Sequence, residues 1–172
     1  MSSYATVNEA DAYFETRLHV SVWTAASSAD KLKSLTQATR IIDRLAYAGE
    51  KHAAYLVSSA LLGSPTETDI AAIRAAAQSQ ELEFPRGSDT AIPTDIKIAT
   101  YEIALALLDG VDPDIEYQEQ GVVSQGYSSV RVTYDRTSVQ EHTNAGVPSP
   151  TAWRYLKPYC REAGGIKLSR VS

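Results

Sequence analysis

Apolar residues recur at intervals of three and four through the first 110 residues of the chain, a spacing that predicts amphipathic helices. The first helix is predicted to begin at Thr6, because Thr6 and Glu9 have the spacing of a reciprocal capping box. The second helix is predicted over about 29–47, with one apolar face and with lysine and arginine on its other faces. A third, short helix is expected to end at Gly63, because glycine commonly terminates helices.

Two more helices are predicted on either side of the sequence LEFPRGSDTAIPTDI, at positions 82–96. The helix before it is rich in alanine, and its small side chains are expected to pack within the chain rather than at a subunit seam. Pro85 should end this helix, because the residue before a proline avoids helical geometry. The helix after it, IKIATYEIALALLDG, is apolar except for a line of carboxylates at Asp95, Glu102 and Asp109. It either forms the centre of the fold or completes its burial against a neighbouring subunit.

The pattern changes after Gly110, where valine, tyrosine and glycine become frequent. Val130, Val132 and Tyr134 alternate with polar residues, and this period of two predicts a β-strand. A strand pair or long hairpin is therefore expected, with its turn near the sequence EQG or SQG. Because so few strands cannot form an independent domain, we expect an arm that packs on the helices or pairs with another subunit.

The chain is expected to form one domain made of three parts. These are a helical bundle over residues 1–110, a hairpin and loop arm over 111–148, and a short C-terminal helix with a basic tail over 149–172. The predicted fold class is mainly α: a bundle of about four to five helices with a β-hairpin or extended arm, ending in the short helix and tail.

Charge is distributed unevenly along the 172 residues, whose net charge is −5. Residues 1–150 carry a net charge of −9, whereas residues 151–172 carry +4. The acidic body argues against general affinity for nucleic acid. The basic tail either docks on an acidic partner or is a solvated terminus. No apolar run is long enough to span a bilayer, the N-terminus has no signal-peptide pattern, and the single cysteine excludes an intrachain disulfide.

No motif in the sequence predicts catalysis or a cofactor. The glycines of GVVSQG lack the lysine of a phosphate-binding loop, and His19, His52 and His142 have no ligand partner at metal-binding spacing. The acidic cluster at 109–116 lacks the glycine and glutamate of a calcium loop and is expected to be a solvated turn. Cys160 has no histidine nearby in sequence. We therefore expect a protein that is not an enzyme, with no catalytic, metal or cofactor site.

Aromatic and basic residues are interleaved only in the C-terminal sequence WRYLKPYCR. Such a segment could stack on a single-stranded nucleic acid, or it could anchor a protein interface. The interface is favoured, because the rest of the chain repels phosphates. The residues concerned are Trp153, Arg154, Tyr155, Lys157, Tyr159 and Arg161.

The order of these elements resembles the head–tail connector proteins, also called adaptor or head-completion proteins, of long-tailed bacteriophages. The resemblance covers nearly the whole chain, and LEFPRG and IPTDIKIATYEIAL are its sharpest motifs. YATVNEADAYFETRL, KLKSLTQATRIIDRL and VPSPTAWRYLKPY also contribute. The family more often has tryptophan where Phe84 stands. The same sequence type is sometimes labelled a DnaT-like single-stranded-DNA-binding protein, and a module of that kind is the alternative function.

The resemblance implies a structural subunit of the virion neck, assembled in the cytoplasm of the bacterial host. Such subunits form a ring of copies, usually twelve, beneath the portal protein. The ring extends the DNA channel without binding DNA specifically and docks the next neck or tail protein, with no membrane involved.

The resemblance also implies where partners are contacted. The loop PRGSDTAIP would lie at a subunit or portal surface, with Arg86 reaching an acidic neighbour; the alternative is a turn with an exposed arginine. The hairpin would join neighbouring copies, and the C-terminal segment would reach toward the portal. The expected contact residues are Arg86, Tyr127, Val130, Val132, Tyr134, Trp153, Arg154, Tyr155, Lys157 and Arg161.

Overall fold

Helices form most of the regular structure in the computed structural model, which describes residues 2–61, 63–120, 124–127, 130–133 and 140–161. Up to Gly110 they are α1 (Val7–Phe14), α2 (Ser21–Ala25), α3 (Ser28–Asp43), α4 (His52–Ser59), α5 (Glu67–Ser79) and α6 (Thr94–Leu108). Then come α7 (Pro113–Gln120), β1 (Ser124–Tyr127), β2 (Val130–Thr133), α8 (Glu141–Asn144), α9 (Pro150–Leu156) and a 3-10 turn (Lys157–Tyr159). The predicted fold class, mainly α, is confirmed.

Helix α6 lies at the centre of the bundle, where it packs against α3 and α9. Ile96, Ala99 and Ile103 share one face of α6 and are completely buried. Leu35 and Ile42 of α3 are completely buried in the same core. The sequence left open whether α6 is the centre of the fold or is covered by a neighbouring subunit. In the structure, α6 is surrounded by other helices of its own chain.

The start of α1 follows the local signal in the sequence. Thr6 accepts a hydrogen bond from the amide of Glu9 (3.3 Å), and the Glu9 carboxylate accepts one from the amide of Thr6 (2.8 Å). The predicted capping box is therefore present, and it satisfies two amides that the first turn of a helix leaves without partners.

Residues 46–52, 85–87 and 159–161 are joined by backbone hydrogen bonds, and we call these three segments the clasp. Helix α3 ends at Asp43, earlier than predicted, and residues 46–52 run between residues 85–87 and 159–161. The joining backbone hydrogen bonds run from Ala48 N to Tyr159 O (3.0 Å), Arg161 N to Ala46 O (2.8 Å), His52 N to Pro85 O (3.0 Å) and Gly87 N to Glu50 O (2.8 Å). The predicted extension of this helix to residue 47 is wrong, because its backbone pairs with distant segments instead.

Phe84 comes directly before residues 85–87 of the clasp and is joined to Pro85 by a cis peptide bond. Its side chain is only 2% exposed. Three tyrosine rings surround it edge-on, with centroid distances of 6.0 Å to Tyr4, 4.7 Å to Tyr47 and 5.6 Å to Tyr159. We call these four residues the Phe84 cluster. Phe84 is therefore part of the core. Of the loop PRGSDTAIP that follows, residues 85–87 are half-buried and residues 88–91 are exposed, and its contact with a neighbouring subunit or the portal stays a prediction.

Helices α4 and α5 form a helical hairpin in which each packs mainly on the other. Helix α5 contains no buried residue, and α4 buries only Ala54. The alanine-rich helix was expected to pack within the chain, and it does so only in part. Leu56 and Ile70 are large apolar residues of this hairpin, and they are 56% and 38% exposed.

The region after α6 differs from its prediction. Strands β1 and β2 pair antiparallel, with Ser124 opposite Thr133 and Tyr127 opposite Val130. A strand pair was expected with its turn near EQG or SQG, and SQG lies within β1, directly before the last residue of that strand. Helices α7 and α8, inside the predicted arm, were not foreseen. How the strand pair sits against the helices stays a prediction. Among the described residues no helix is long and apolar enough to cross a membrane.

Ion pairs hold α1 and the turn after it against two neighbouring helices. One pair reaches α3 and two reach α6, so the N-terminal helix is anchored on both central helices of the bundle. The pairs are Asp11 with Lys31 (2.8 Å), Glu9 with Lys97 (2.6 Å) and Glu102 with Arg17 (2.8 Å).

We expect Phe84→Ala to destabilise the protein by about 3–5 kcal/mol, because it leaves a cavity among three tyrosine rings. Urea unfolding followed by circular dichroism measures the change. Leu18→Ala is the matched control: Leu18 is 80% exposed, so its removal should change the free energy of unfolding by less than about 0.5 kcal/mol. Equal effects of the two substitutions would contradict a core position for Phe84.

A second prediction concerns Glu9, whose pKa is lowered from 4.5 to about 2 by hydrogen bonds from Lys97 and Thr6. Since the pKa is lower in the folded state, the charged carboxylate stabilises the fold above the unfolded pKa, and this is lost as the pH falls toward 2. Wild type should be more stable than Glu9→Gln at pH 7, and the difference should shrink between pH 5 and pH 2. Urea unfolding across this range tests it. Glu15→Gln, at an exposed position, should show no such convergence.

Candidate interaction surfaces

Arg86 lies inside the clasp and contacts its own chain. Its guanidinium donates to the Glu83 carboxylate (2.6 Å) and to the carbonyl oxygens of Ala48 (3.1 Å) and Gly49. It also lies 5.6 Å from the centre of the Tyr47 ring, and the side chain is 13% exposed. The alternative of a turn with an exposed arginine is therefore wrong, and contact between Arg86 and an acidic neighbour stays a prediction. Five donors in one plane suit the carbonyls and carboxylate that the clasp brings together.

Charges around Glu83 join the clasp to the hairpin of α4 and α5. Glu83 accepts from both Lys51 (3.0 Å) and Arg86, and Lys51 also donates to the carbonyl of Gln80 at the end of α5 (3.1 Å). The Gln80 side chain accepts from the amide of Ala53 in α4 (3.1 Å). The base of the hairpin is thus fixed to the core by polar contacts, although the hairpin itself buries little.

Asp43 is a half-buried acid in this region, and it accepts a hydrogen bond from the Tyr4 hydroxyl and another from the amide of Glu83 (3.2 Å). Burial raises the pKa of Asp43, and burial together with the Asp43 bond raises the pKa of Tyr4. Shifted pKa values can mark active sites, but neither residue lines any of the clefts described below. The pair instead positions the loop that carries Phe84.

The C-terminal aromatic and basic residues are only partly brought together. The Trp153 indole N–H and the Lys157 ammonium both bind the carboxylate of Glu141 in α8, at 3.2 and 2.6 Å. Lys157 and Trp153 thereby lower the pKa of Glu141. Arg154 is exposed on α9, whereas Arg161 lies in the clasp through its backbone. Glu141 therefore already neutralises part of the positive charge of the C-terminal aromatic and basic residues.

The remaining predicted contact residues can be placed less fully. Tyr127 and Val130 are opposite each other in the strand pair, and Val132 lies opposite Gln125. Tyr155 is half-buried on α9. Tyr134 lies outside the described residues. The pairing brings the three hairpin residues into one two-stranded ladder, and their role in contacts between subunits stays a prediction.

A cleft of about 670 Å³ opens between α3 and the start of α7, and we call it the α3–α7 cleft. Its apolar lining residues include Ile41 and Leu107. Basic residues of α3 form one wall, and aspartates at the start of α7 form the other. The charged residues are Arg40, Arg44, Asp112 and Asp114. Arg44 and both aspartates are exposed. The acidic cluster, expected to be a solvated turn, is thus one side of a charged cleft.

A second cleft, of about 430 Å³, lies where α1 and α2 meet α6 and includes Arg17, His19 and Glu102 in its lining. Glu102 is buried at 3% exposure and accepts from both Tyr13 (2.7 Å) and Arg17 (2.8 Å). Both carboxylate oxygens therefore have partners within the chain. Among the described residues no group of three histidine, cysteine or carboxylate side chains could hold a metal ion.

Sequence patterns did not identify the exposed hairpin of α4 and α5 as a surface. Its alanine content indicated a good helix but said nothing about which faces are covered. The one available signal was weak: Ile70 and Ile73 are the only large apolar residues of α5, so the helix has little apolar volume to place in a core.

We expect Arg86→Ala to lower the free energy of unfolding by about 2–3 kcal/mol, because it removes charge-assisted hydrogen bonds to two carbonyl oxygens and one of the two cations that bind Glu83. Urea unfolding measures the loss. Arg154→Ala provides the control, since Arg154 is exposed and its replacement should change stability by less than about 0.5 kcal/mol. An unchanged stability of the Arg86 variant would contradict the structural role.

The chain matches no protein-family model, and no curated protein or solved structure shows significant similarity to it. The resemblance to phage connectors therefore stays a prediction, and the function has to be argued from the surfaces described above.

Proposed function

We propose that this protein is a structural connector subunit of a tailed-phage neck. Copies would form a ring beneath the portal protein, extend the DNA channel and dock the next neck or tail protein. The observation that supports this most is the hairpin of α4 and α5, which is fixed at its base and exposes apolar residues along its length.

The energetic argument starts from the length of α5. A helix of 13 residues is only marginally stable by itself in water, and most helices in proteins are stabilised by burying an apolar face. Helix α5 contacts α4 but buries no residue. Contact with another chain would complete that burial. Such a contact is the normal state of a subunit that works within an assembly.

The resemblance supports the same function from a different direction. Its sharpest motifs, LEFPRG and IPTDIKIATYEIAL, supply Phe84 and the central helix α6, which belong to the core. Motifs that lie in the core would be shared with the phage connectors if the folds are the same. The exposed elements would differ according to the partners they bind. The acidic body would let DNA pass through a channel without adhering to its wall.

The alternative, a single-stranded-DNA-binding module, has less support. It requires aromatic and basic residues near the C-terminus to face a nucleic acid. Trp153 and Lys157 instead share a hydrogen-bond partner in Glu141, an acidic residue that would repel phosphates. Binding of single-stranded DNA is therefore kept as a possible result of the experiment that follows.

We expect the purified protein to form rings of uniform size, alone at high concentration or when mixed with the portal protein of the same phage. Mass photometry and negative-stain electron microscopy would detect them. Ile70→Asp should prevent assembly without unfolding the chain, because the charge would lie in an apolar contact. Leu18→Asp is a control at an exposed apolar position outside the hairpin.

A protein that stays monomeric with and without the portal would contradict the proposed function. Salt-sensitive binding to single-stranded oligonucleotides that is lost in Trp153→Ala and Lys157→Ala would support the alternative instead.

A further inference from the structure

The exposed face of α5 carries three different kinds of side chain in a row. Glu67, Ile70 and Arg74 are spaced by three and four positions, so they lie on one face of the helix, and all are exposed. At a rise of about 1.5 Å per residue, the acid and the base are about 10 Å apart along the helix axis. Within the described part of the chain, neither charged side chain makes a hydrogen bond or ion pair.

The α3–α7 cleft carries the opposite arrangement. Its lining includes Arg44 at the end of α3, the apolar residues Ile41 and Leu107, and Asp114 in α7. The Arg44 guanidinium and the Asp114 carboxylate also make no hydrogen bond or ion pair with other described residues. Helix α5 thus offers an acid, an apolar residue and a base, and the cleft offers a base, apolar residues and an acid.

We propose that α5 of one copy docks in the α3–α7 cleft of the next copy. Glu67 then pairs with Arg44, Ile70 packs on the apolar residues of the cleft, and Arg74 pairs with Asp114. This inference rests on the proposed ring assembly and assigns the two surfaces that form its seam.

Charge gives this contact a direction as well as a partner. Docking α5 in the reverse orientation would place Glu67 beside Asp114 and Arg74 beside Arg44, and like charges at close range are strongly unfavourable. Because α5 does not line the cleft of its own chain, the contact joins two different surfaces. Contacts of this kind run head to tail, and they generate a closed ring when the rotation between copies permits it.

The test uses charge reversal on both sides of the seam. Arg44→Glu and Glu67→Arg should each weaken assembly by about tenfold or more, because each places like charges together. A chain that carries both substitutions should assemble again, since the pair is restored with reversed signs. Mass photometry over a concentration series gives the change, and circular dichroism with urea unfolding checks that each variant is folded.

Mixing the two single variants gives a sharper result. In an alternating ring, the acidic cleft of the Arg44→Glu chain meets the reversed α5 of the Glu67→Arg chain, and the other contact is wild type on both sides. An equimolar mixture should therefore assemble although neither variant does so alone, in rings with an even number of copies. Lys33→Glu is the matched control, because Lys33 is an exposed cation of α3 that does not line the cleft.

The outcomes separate this inference from the proposed function. If wild type assembles and both single variants assemble equally well, the seam is wrong while the ring remains. If the single variants fail and neither the mixture nor the double variant recovers, the two residues are not partners and the seam is again wrong. If wild type forms no ring with or without the portal, the proposed function fails first.

Discussion

The burial of Phe84 is the constraint on which the rest of this structure depends. Its ring sits among Tyr4, Tyr47 and Tyr159, which come from the N-terminus, from the segment after α3 and from the C-terminal turn. The backbone amides and carbonyls of the segments that cover this ring need hydrogen-bond partners. The clasp meets that requirement, and Arg86 binds two further carbonyls beside it. One aromatic side chain thus fixes the paths of three distant parts of the chain.

The same constraint explains how a poorly buried hairpin can be held in a defined place. Gln80, Lys51 and Glu83 tie the ends of α4 and α5 to the clasp, so the base of the hairpin is fixed while the face of α5 remains open. A surface that is positioned but not covered loses less conformational entropy on association than a flexible one. This division between a fixed base and an open face suits a subunit that binds copies of itself.

Charged residues in this protein act mainly in joining helices. Glu9, Asp11 and Glu102 each connect α1 or its following turn to a central helix, and Glu102 has both oxygens occupied although it is buried. Within the described part of the chain, Glu67 and Arg74 on α5 and Arg44 and Asp114 in the α3–α7 cleft have no such partners. Their signs are complementary between those two surfaces, and this distribution is the physical basis for assigning the seam between copies.

The sequence by itself determined the helical class, the capping box at Thr6 and the buried face of α6, because these depend on residues three or four positions apart. Only the tertiary structure decided the rest. Proline and glycine indicated a loop before α6, but α5 ends at Ser79 and not at Pro85, and Phe84 is buried in that loop by partners as distant as Tyr4. Helix propensity likewise predicted α5 but not its exposure. Local patterns report the spacing of apolar residues, whereas burial depends on which remote segments come to cover them.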